Sequence, residues 1–88
     1  MKYKVVWNKK VKKQISKCPK DIQESFNVLV QDIKEKGPIQ KEWRNFSSLG
    51  ENKYHCHLNY RWVACWTYEK EIITVEVYYV GSREKAPY

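Results

Sequence analysis

The stretch Lys53-Tyr54-His55-Cys56-His57-Leu58-Asn59-Tyr60-Arg61-Trp62-Val63-Ala64-Cys65-Trp66 decides the fold. It reads as two strands joined by a short turn, because side chains alternate across a sheet with period two. Tyr54, Cys56 and Leu58 then share one face, and His55 and His57 the other. On the second strand Trp62, Ala64 and Trp66 share a face, and Arg61, Val63 and Cys65 take the opposite one. Both histidines of the chain thus stand two residues apart on one strand face, with an arginine just past the turn. At a rise of roughly 3.4 Å per residue their imidazoles project about 7 Å apart, a spacing that can bracket one phosphate.

Residues 67–71 read as a polar turn after this hairpin, and 72–80 carry the strongest strand signal in the chain. Ile73, Val75, Val77 and Tyr79 fall on the face that helices would cover, and Thr74, Glu76 and Tyr78 on the histidine side. Gly81 ends that strand, and the basic tail Ser82-Arg83-Glu84-Lys85-Ala86-Pro87-Tyr88 follows. Ahead of the hairpin, residues 39–52 have no sustained period and read as a long loop, either functional or compactly packed. Trp43, Phe46 and Leu49 can pin it to the core, while Lys41 and Arg44 can face a phosphate backbone. Interleaved aromatic and basic residues suit base stacking and phosphate binding; buried plugs are the simpler reading of Trp43 and Phe46.

The N-terminal half supplies the helices. Residues 3–7 form a short apolar strand whose pairing the sequence leaves open. Asn8 can cap a helix over 9–17, with Val11 and Ile15 on its inner side and lysines elsewhere. Cys18-Pro19 interrupts it, and Pro19 suits the start of a second helix to Lys36. There Ile22, Phe26, Leu29, Val30 and Ile33 make one stripe, and Gly37-Pro38 closes the helix. The two helices form a hairpin whose apolar stripes need a sheet to cover.

Eighty-eight residues make one domain, 1–88, with a small core that leans on four Trp, seven Tyr and two Phe. Seventeen Lys and Arg against ten Asp and Glu leave a net charge of +7. That balance suits a polyanionic partner, nucleic acid or an acidic protein segment. Cys18, Cys56 and Cys65 are odd in number and form no CxxC pair, so reduced thiols in a cytoplasmic protein are expected, with Cys56 in a packing role. No signal peptide or membrane span is read.

His55, His57, Arg61, Arg83, Lys85 and Tyr88 collect on one side, with Glu76 a candidate neighbour. No Gly-rich phosphate loop or nucleophile motif accompanies them. The set suits a substrate that brings its own nucleophile, as RNA does with its 2′-hydroxyl. Cleavage then needs a general base, a general acid and fixed positive charge on the phosphate. Histidine fills both proton roles near neutral pH. Simpler readings stand beside this one: solvated surface histidines, solubility charges at Arg61 and Arg83, a frayed terminus at Tyr88. A His-x-His zinc site is weaker still, since Glu76 would be its nearest acidic ligand.

The chain resembles the RelE/ParE superfamily of small bacterial toxins, and within it the ribosome-dependent mRNA endonucleases of the RelE kind. The likeness runs over nearly the whole chain. It is sharpest at Leu49 with Tyr54-His55-Cys56-His57-Leu58, at Tyr60-Arg61, and at Val80-Gly81-Ser82-Arg83-Glu84-Lys85 followed by Tyr88. The resemblance implies an α+β fold: an N-terminal strand and a two-helix hairpin packed on one face of a mainly antiparallel four-stranded sheet. RNA would bind the basic concavity opposite. Arg61 and Arg83 match arginines that hold and stabilise the scissile phosphate, and Tyr88 matches a C-terminal tyrosine that stacks on or activates the nucleotide. His55 and His57 stand where the best-known members carry two lysines, and histidines serve as acid and base in other branches. Lys41, Arg44, Lys53 and Lys85 are expected to bind RNA. The resemblance further implies mRNA on the ribosome as substrate, a cognate antitoxin as partner, and no metal or organic cofactor. A ParE-like inhibitor of DNA gyrase and a catalytically inactive antitoxin-binding module are the alternatives within the same fold.

Overall fold

A computed structural model of the chain describes residues 2–69 and 72–88. Strand β1 (Lys4–Val6) leads into helices α1 (Lys9–Ser16) and α2 (Lys20–Lys36). Strands β2 (Ser47–Gly50), β3 (Lys53–His57), β4 (Trp62–Tyr68) and β5 (Thr74–Ser82) follow, and a single 3-10 turn (Arg83–Lys85) begins the tail. The sheet runs β1-β5-β4-β3-β2. β1 lies parallel to β5, and the other neighbours are antiparallel.

This is the α+β architecture expected, with one strand more. Ser47–Gly50 lies in the segment that reads as a loop, and it pairs with β3 as an edge strand. A four-residue strand holding one partly buried residue, Leu49, carries too little alternation to stand out. The turn to β3 uses positive φ at Gly50, Glu51 and Asn52, a geometry for which Gly and Asn are suited.

Local chemistry sets the helix ends. The Asn8 side chain accepts from the Val11 N–H at 3.0 Å and starts α1. Gly37 ends α2 at φ +97°, and a Cβ there would press on the Tyr3 ring at 2.9 Å. Ile22, Phe26, Leu29, Val30 and Ile33 of α2 are buried against Cys56, Ala64, Trp66, Val75, Val77 and Val80 of the sheet. Each large apolar side chain so placed contributes about 1.5–3 kcal/mol relative to exposure. Trp66 anchors the cluster, and its indole N–H donates to the Pro38 carbonyl at 3.0 Å. Trp43 and Phe46 pack against this core as plugs: the Trp43 indole donates to Asp32 Oδ2 at 2.8 Å, and Phe46 stacks on Tyr54.

Three expectations for β5 need correction. The strand begins at Thr74, so Ile72 and Ile73 lie outside it and are exposed. It also continues through Gly81 and Ser82 instead of ending at Gly81. Between them the register shifts: Cys65 faces Tyr79, while Trp66 faces Val77. This bulge inserts Tyr78 as an extra residue and reverses the alternation beyond it. Val80, not Tyr79, therefore joins Val75 and Val77 in the core, and Tyr79 moves to the histidine side. β4 runs on to Tyr68, beyond the expected start of the polar turn at 67; Lys70 and Glu71 of that turn lie outside the described residues.

Candidate active site

The register of the β3–β4 hairpin places His55 opposite Cys65 and His57 opposite Val63, with Cys56 opposite Ala64 on the other face. The alternation read from the sequence holds here. The histidine rings lie 5.7 Å apart, somewhat closer than an ideal strand gives. Both are buried, at 8% exposure each, so neither is a solvated surface side chain. The neighbouring edge supplies their polar contacts. Ser47 Oγ sits 3.0 Å from His55 Nδ1, and the Asn45 amide is 3.5 Å from His57 Nδ1. The tail folds back over this face and sets the Tyr88 ring 4.5 Å from that of His55. The Arg83 N–H donates to the Arg61 carbonyl at 2.8 Å, which ties the start of the tail to the hairpin turn.

Burial and charge act together on the histidines. Burial lowers the His57 pKa first, and the Arg83 and Arg44 guanidiniums lower it further, against a hydrogen bond to the Asn59 main chain. His55 is lowered by burial and by His57, against a hydrogen bond to the Ser47 main chain. Both imidazoles are held toward the neutral, proton-accepting form. Burial and the nearby Cys65 and Tyr79 raise the Tyr88 pKa, so its phenol keeps its proton. Beneath the tail, Cys65 and Tyr78 are each pushed up to about 12, chiefly by burial.

Arg61 and Arg83 line one cleft of about 400 Å³ together with Tyr60, Trp62, Ser82 and Glu84. The Arg61 guanidinium lies over the Tyr60 ring at 5.6 Å. Arg83 joins the cleft to the histidines through its field at His57. Arg44 belongs to the same cluster, since its carbonyl also accepts the His57 N–H at 2.8 Å. The other expected RNA contacts are more peripheral. Lys53 reaches toward the Tyr78 ring at 6.0 Å. Lys85 lines a groove with Trp62 and Tyr79. Lys41 sits in the turn after Gln40, on the side that Trp43 pins to Asp32 of α2. Glu76 pairs with Thr67 in a region shared with Thr74 and Glu69, away from the histidines. It is not a neighbour of the site, because β4 intervenes and the pairing sets it two residues off. Among the described residues, no group of three His, Cys, Asp or Glu side chains is placed to hold a metal ion.

Four residues of this cluster escape sequence reading. Asn45 and Ser47 stand against His57 and His55 across the edge pair, a relation that only the cross-strand register reveals. Tyr79 and Gly81 are the others. The Tyr79 hydroxyl donates to the Ser82 carbonyl at 2.7 Å, and its ring fills the space where a Cβ on Gly81 would stand.

No protein-family model and no curated protein matches the sequence. Solved structures do match its fold. A chain of the archaeal RelE-RelB complex from Pyrococcus horikoshii OT3 is 21% identical, with a TM-score of 0.81 over 98% of this chain and 100% of that one. The isolated E. coli RelE toxin is 16% identical, with a TM-score of 0.71 over 97% and 88%. A chain of the YoeB-YefM complex from Staphylococcus aureus is 10% identical, with a TM-score of 0.71 over 92% and 97%. The chain has a RelE-like fold.

Proposed function

We propose that this chain is the toxin of a type II toxin–antitoxin pair and acts as a metal-independent endoribonuclease on mRNA in the ribosome. The observation that carries this reading is the pair of buried histidines beside Arg83 and under Tyr88, on the sheet face that the helices leave free. The ribosome as the place of reaction puts the protein in the cytoplasm.

In this mechanism His57 is the base. Burial, and after it the Arg83 and Arg44 charges, keep it neutral until substrate binds. It takes the proton from a ribose 2′-hydroxyl, whose oxygen attacks the adjacent phosphorus. Arg61 and Arg83 hold the non-bridging oxygens as negative charge develops there. The bond from phosphorus to the 5′-oxygen breaks, and that oxygen takes a proton from His55. The bound phosphate raises the His55 pKa enough to charge it. Products are a 2′,3′-cyclic phosphate and a 5′-hydroxyl, so every proton is accounted for. Tyr88, its ring tilted against that of His55 and its proton retained, is a platform for the nucleotide base. Arg44, Lys53 and Lys85 bind flanking phosphates, and Lys41 adds a more distant charge. A net charge of +7 suits an acidic or amphipathic antitoxin segment, and two of the similar folds were solved as complexes named RelE-RelB and YoeB-YefM.

The test is induced expression followed by mapping of new 5′ ends on translated mRNA. His55→Ala, His57→Ala and Arg83→Ala should each reduce cleavage by about a hundredfold or more. Full cleavage in all three variants would overturn the assignment. Gyrase-dependent DNA breaks with intact mRNA would point to the ParE-like alternative. Antitoxin binding without growth arrest would point to an inactive binding module.

A further inference from the structure

The two helices differ in how they handle charge. α2 follows the helix dipole, with Asp21 in its first turn and Lys34 and Lys36 in its last. α1 opposes it at its start: its first turn holds no acid and Lys9 and Lys10 sit at the positive end, while Lys13 in the last turn follows the dipole. Lys9, Lys13 and Lys17 also repeat at intervals of four, so like charges stand one above another. Such like-charged pairs, and the charges at the positive end of the helix, disfavour it slightly. The first twenty residues hold eight lysines and no Asp or Glu. The ion pair found among the described residues, Lys2 with Glu35 at 4.0 Å, leaves the α1 lysines untouched. This short helix presents an exposed row of ammonium groups with no carboxylate on its own turns.

That row is continuous with the candidate active site. Lys9, Lys10, Lys13 and Lys17 line a surface depression with Gln14. Gln14 is fixed in place, because its side-chain oxygen accepts the Val80 N–H at 3.0 Å on the open side of β5. Gln14 and Lys17 also line the next groove, which passes Lys85 and reaches Trp62 and Ser82. Trp62 and Ser82 in turn line the cleft that holds Arg61 and Arg83. Three depressions of about 400, 430 and 450 Å³ thus share walls in sequence, from the arginine cleft to the outer end of α1. Among the described residues, Glu84 is the one carboxylate on these walls.

We infer that this track is a second RNA-backbone site: the lysines of α1 bind phosphates of the RNA that flanks the scissile position. The inference rests on reading the arginine cleft as an RNA site. Lys9 to Lys17 span about 12 Å along the axis, the length of three to four nucleotides of stacked strand. The lysines grip charge and read no bases, so the track adds affinity and orientation without sequence preference.

The experiment measures binding of a fluorescent, 2′-O-methylated 20-nucleotide RNA, which cannot be cleaved, between 50 and 200 mM salt. A variant carrying Lys9→Ala, Lys10→Ala, Lys13→Ala and Lys17→Ala should bind at least tenfold more weakly at the lowest salt. Its log–log salt slope should fall by about 3, since each phosphate contact on a single strand contributes roughly 0.7. Lysine-to-arginine changes at the same four positions should restore the slope, which excludes a folding effect. Lys36→Ala, in the last turn of α2 and on none of these walls, should leave the slope unchanged. Because the probe is not cleaved, loss of the nuclease reading through the 5′-end mapping would not alter this result. Unchanged affinity and slope in the alanine variant would overturn the track. So would RNA binding that is intact while binding of a poly-glutamate peptide is lost, which would assign the lysines to an acidic protein.

Discussion

Trp66 and Cys65 are adjacent on β4, point to opposite faces of the sheet and are both fully buried, yet different structures cover them. Trp66 lies under two helices, among apolar side chains drawn from both helices and the three central strands. Cys65 lies under Tyr78, Tyr79 and a folded-back tail, with two histidines alongside. One face is closed by regular structure and holds few titratable groups. The other is closed by individual side chains and concentrates them. A sheet in so small a domain can therefore keep an apolar core and a cluster of titratable groups apart by a single residue of register. The separation makes definite claims about what substitution on each face does.

The largest effect is expected at Trp66. Trp66→Ala removes the biggest buried side chain and its bond to the Pro38 carbonyl. The loss should be about 3–5 kcal/mol of folding free energy, read as the midpoint shift in urea denaturation. His57→Ala on the opposite face should cost only about 1 kcal/mol by the same measurement. If His57→Ala proved the more destabilising of the two, the division of labour between the faces would be wrong.

A smaller effect is expected at Gly81. An added Cβ would meet the Tyr79 hydroxyl at 2.7 Å and the ring carbon behind it at 2.9 Å. The ring cannot yield freely, because that hydroxyl is bonded to the Ser82 carbonyl. Gly81→Ala should therefore cost about 1–3 kcal/mol, as overpacking does. Pairing it with Tyr79→Ala, which empties the space, should recover part of the loss. Additive costs in the double variant would show that Tyr79 does not occupy this position.

These two positions also mark what the sequence discloses. Trp66 belongs to a face whose period-two and helical spacings agree, so the hairpin, both helices and most of the core are legible from hydrophobic pattern alone. Gly81 lies beyond a bulge. One inserted residue, Tyr78, reverses the alternation, and no local pattern announces it, since Val-Tyr-Tyr-Val reads equally well in either phase. The same limit hides β2, whose four residues make no period of their own and gain identity only by pairing with β3. The candidate site was half legible for a related reason. His55 and His57 lie on a strand with a clear face, and Arg83, Lys85 and Tyr88 stand out as a basic tail whose roles the resemblance adds. Asn45 and Ser47 depend on a cross-strand register that a single sequence does not contain.

The smallest effect, and the one that probes the histidine face alone, is the dependence of stability on pH. Both histidines have folded-state pKa values below their ordinary 6.5. As pH falls through about 6.5, the unfolded chain takes up protons there before the folded chain does. The contribution of these groups is therefore complete above that pH and is lost as pH drops through the lower folded values. Replacing both with glutamine, which cannot charge, should flatten the decline of the urea midpoint from about pH 6.5 downward and leave the alkaline side unchanged. The alkaline side belongs to the buried thiols and, after them, to the tyrosines whose pKa burial raises. Burial raises the pKa of Cys56 on the helix-covered face and of Cys65 beneath the tyrosines above 9.0, so stability is lost as pH rises past that value. A Cys65→Ala variant should flatten part of this alkaline limb and leave the acid limb as it was. An acid limb that survives removal of both histidines would mean that their protons are not what the buried face resists.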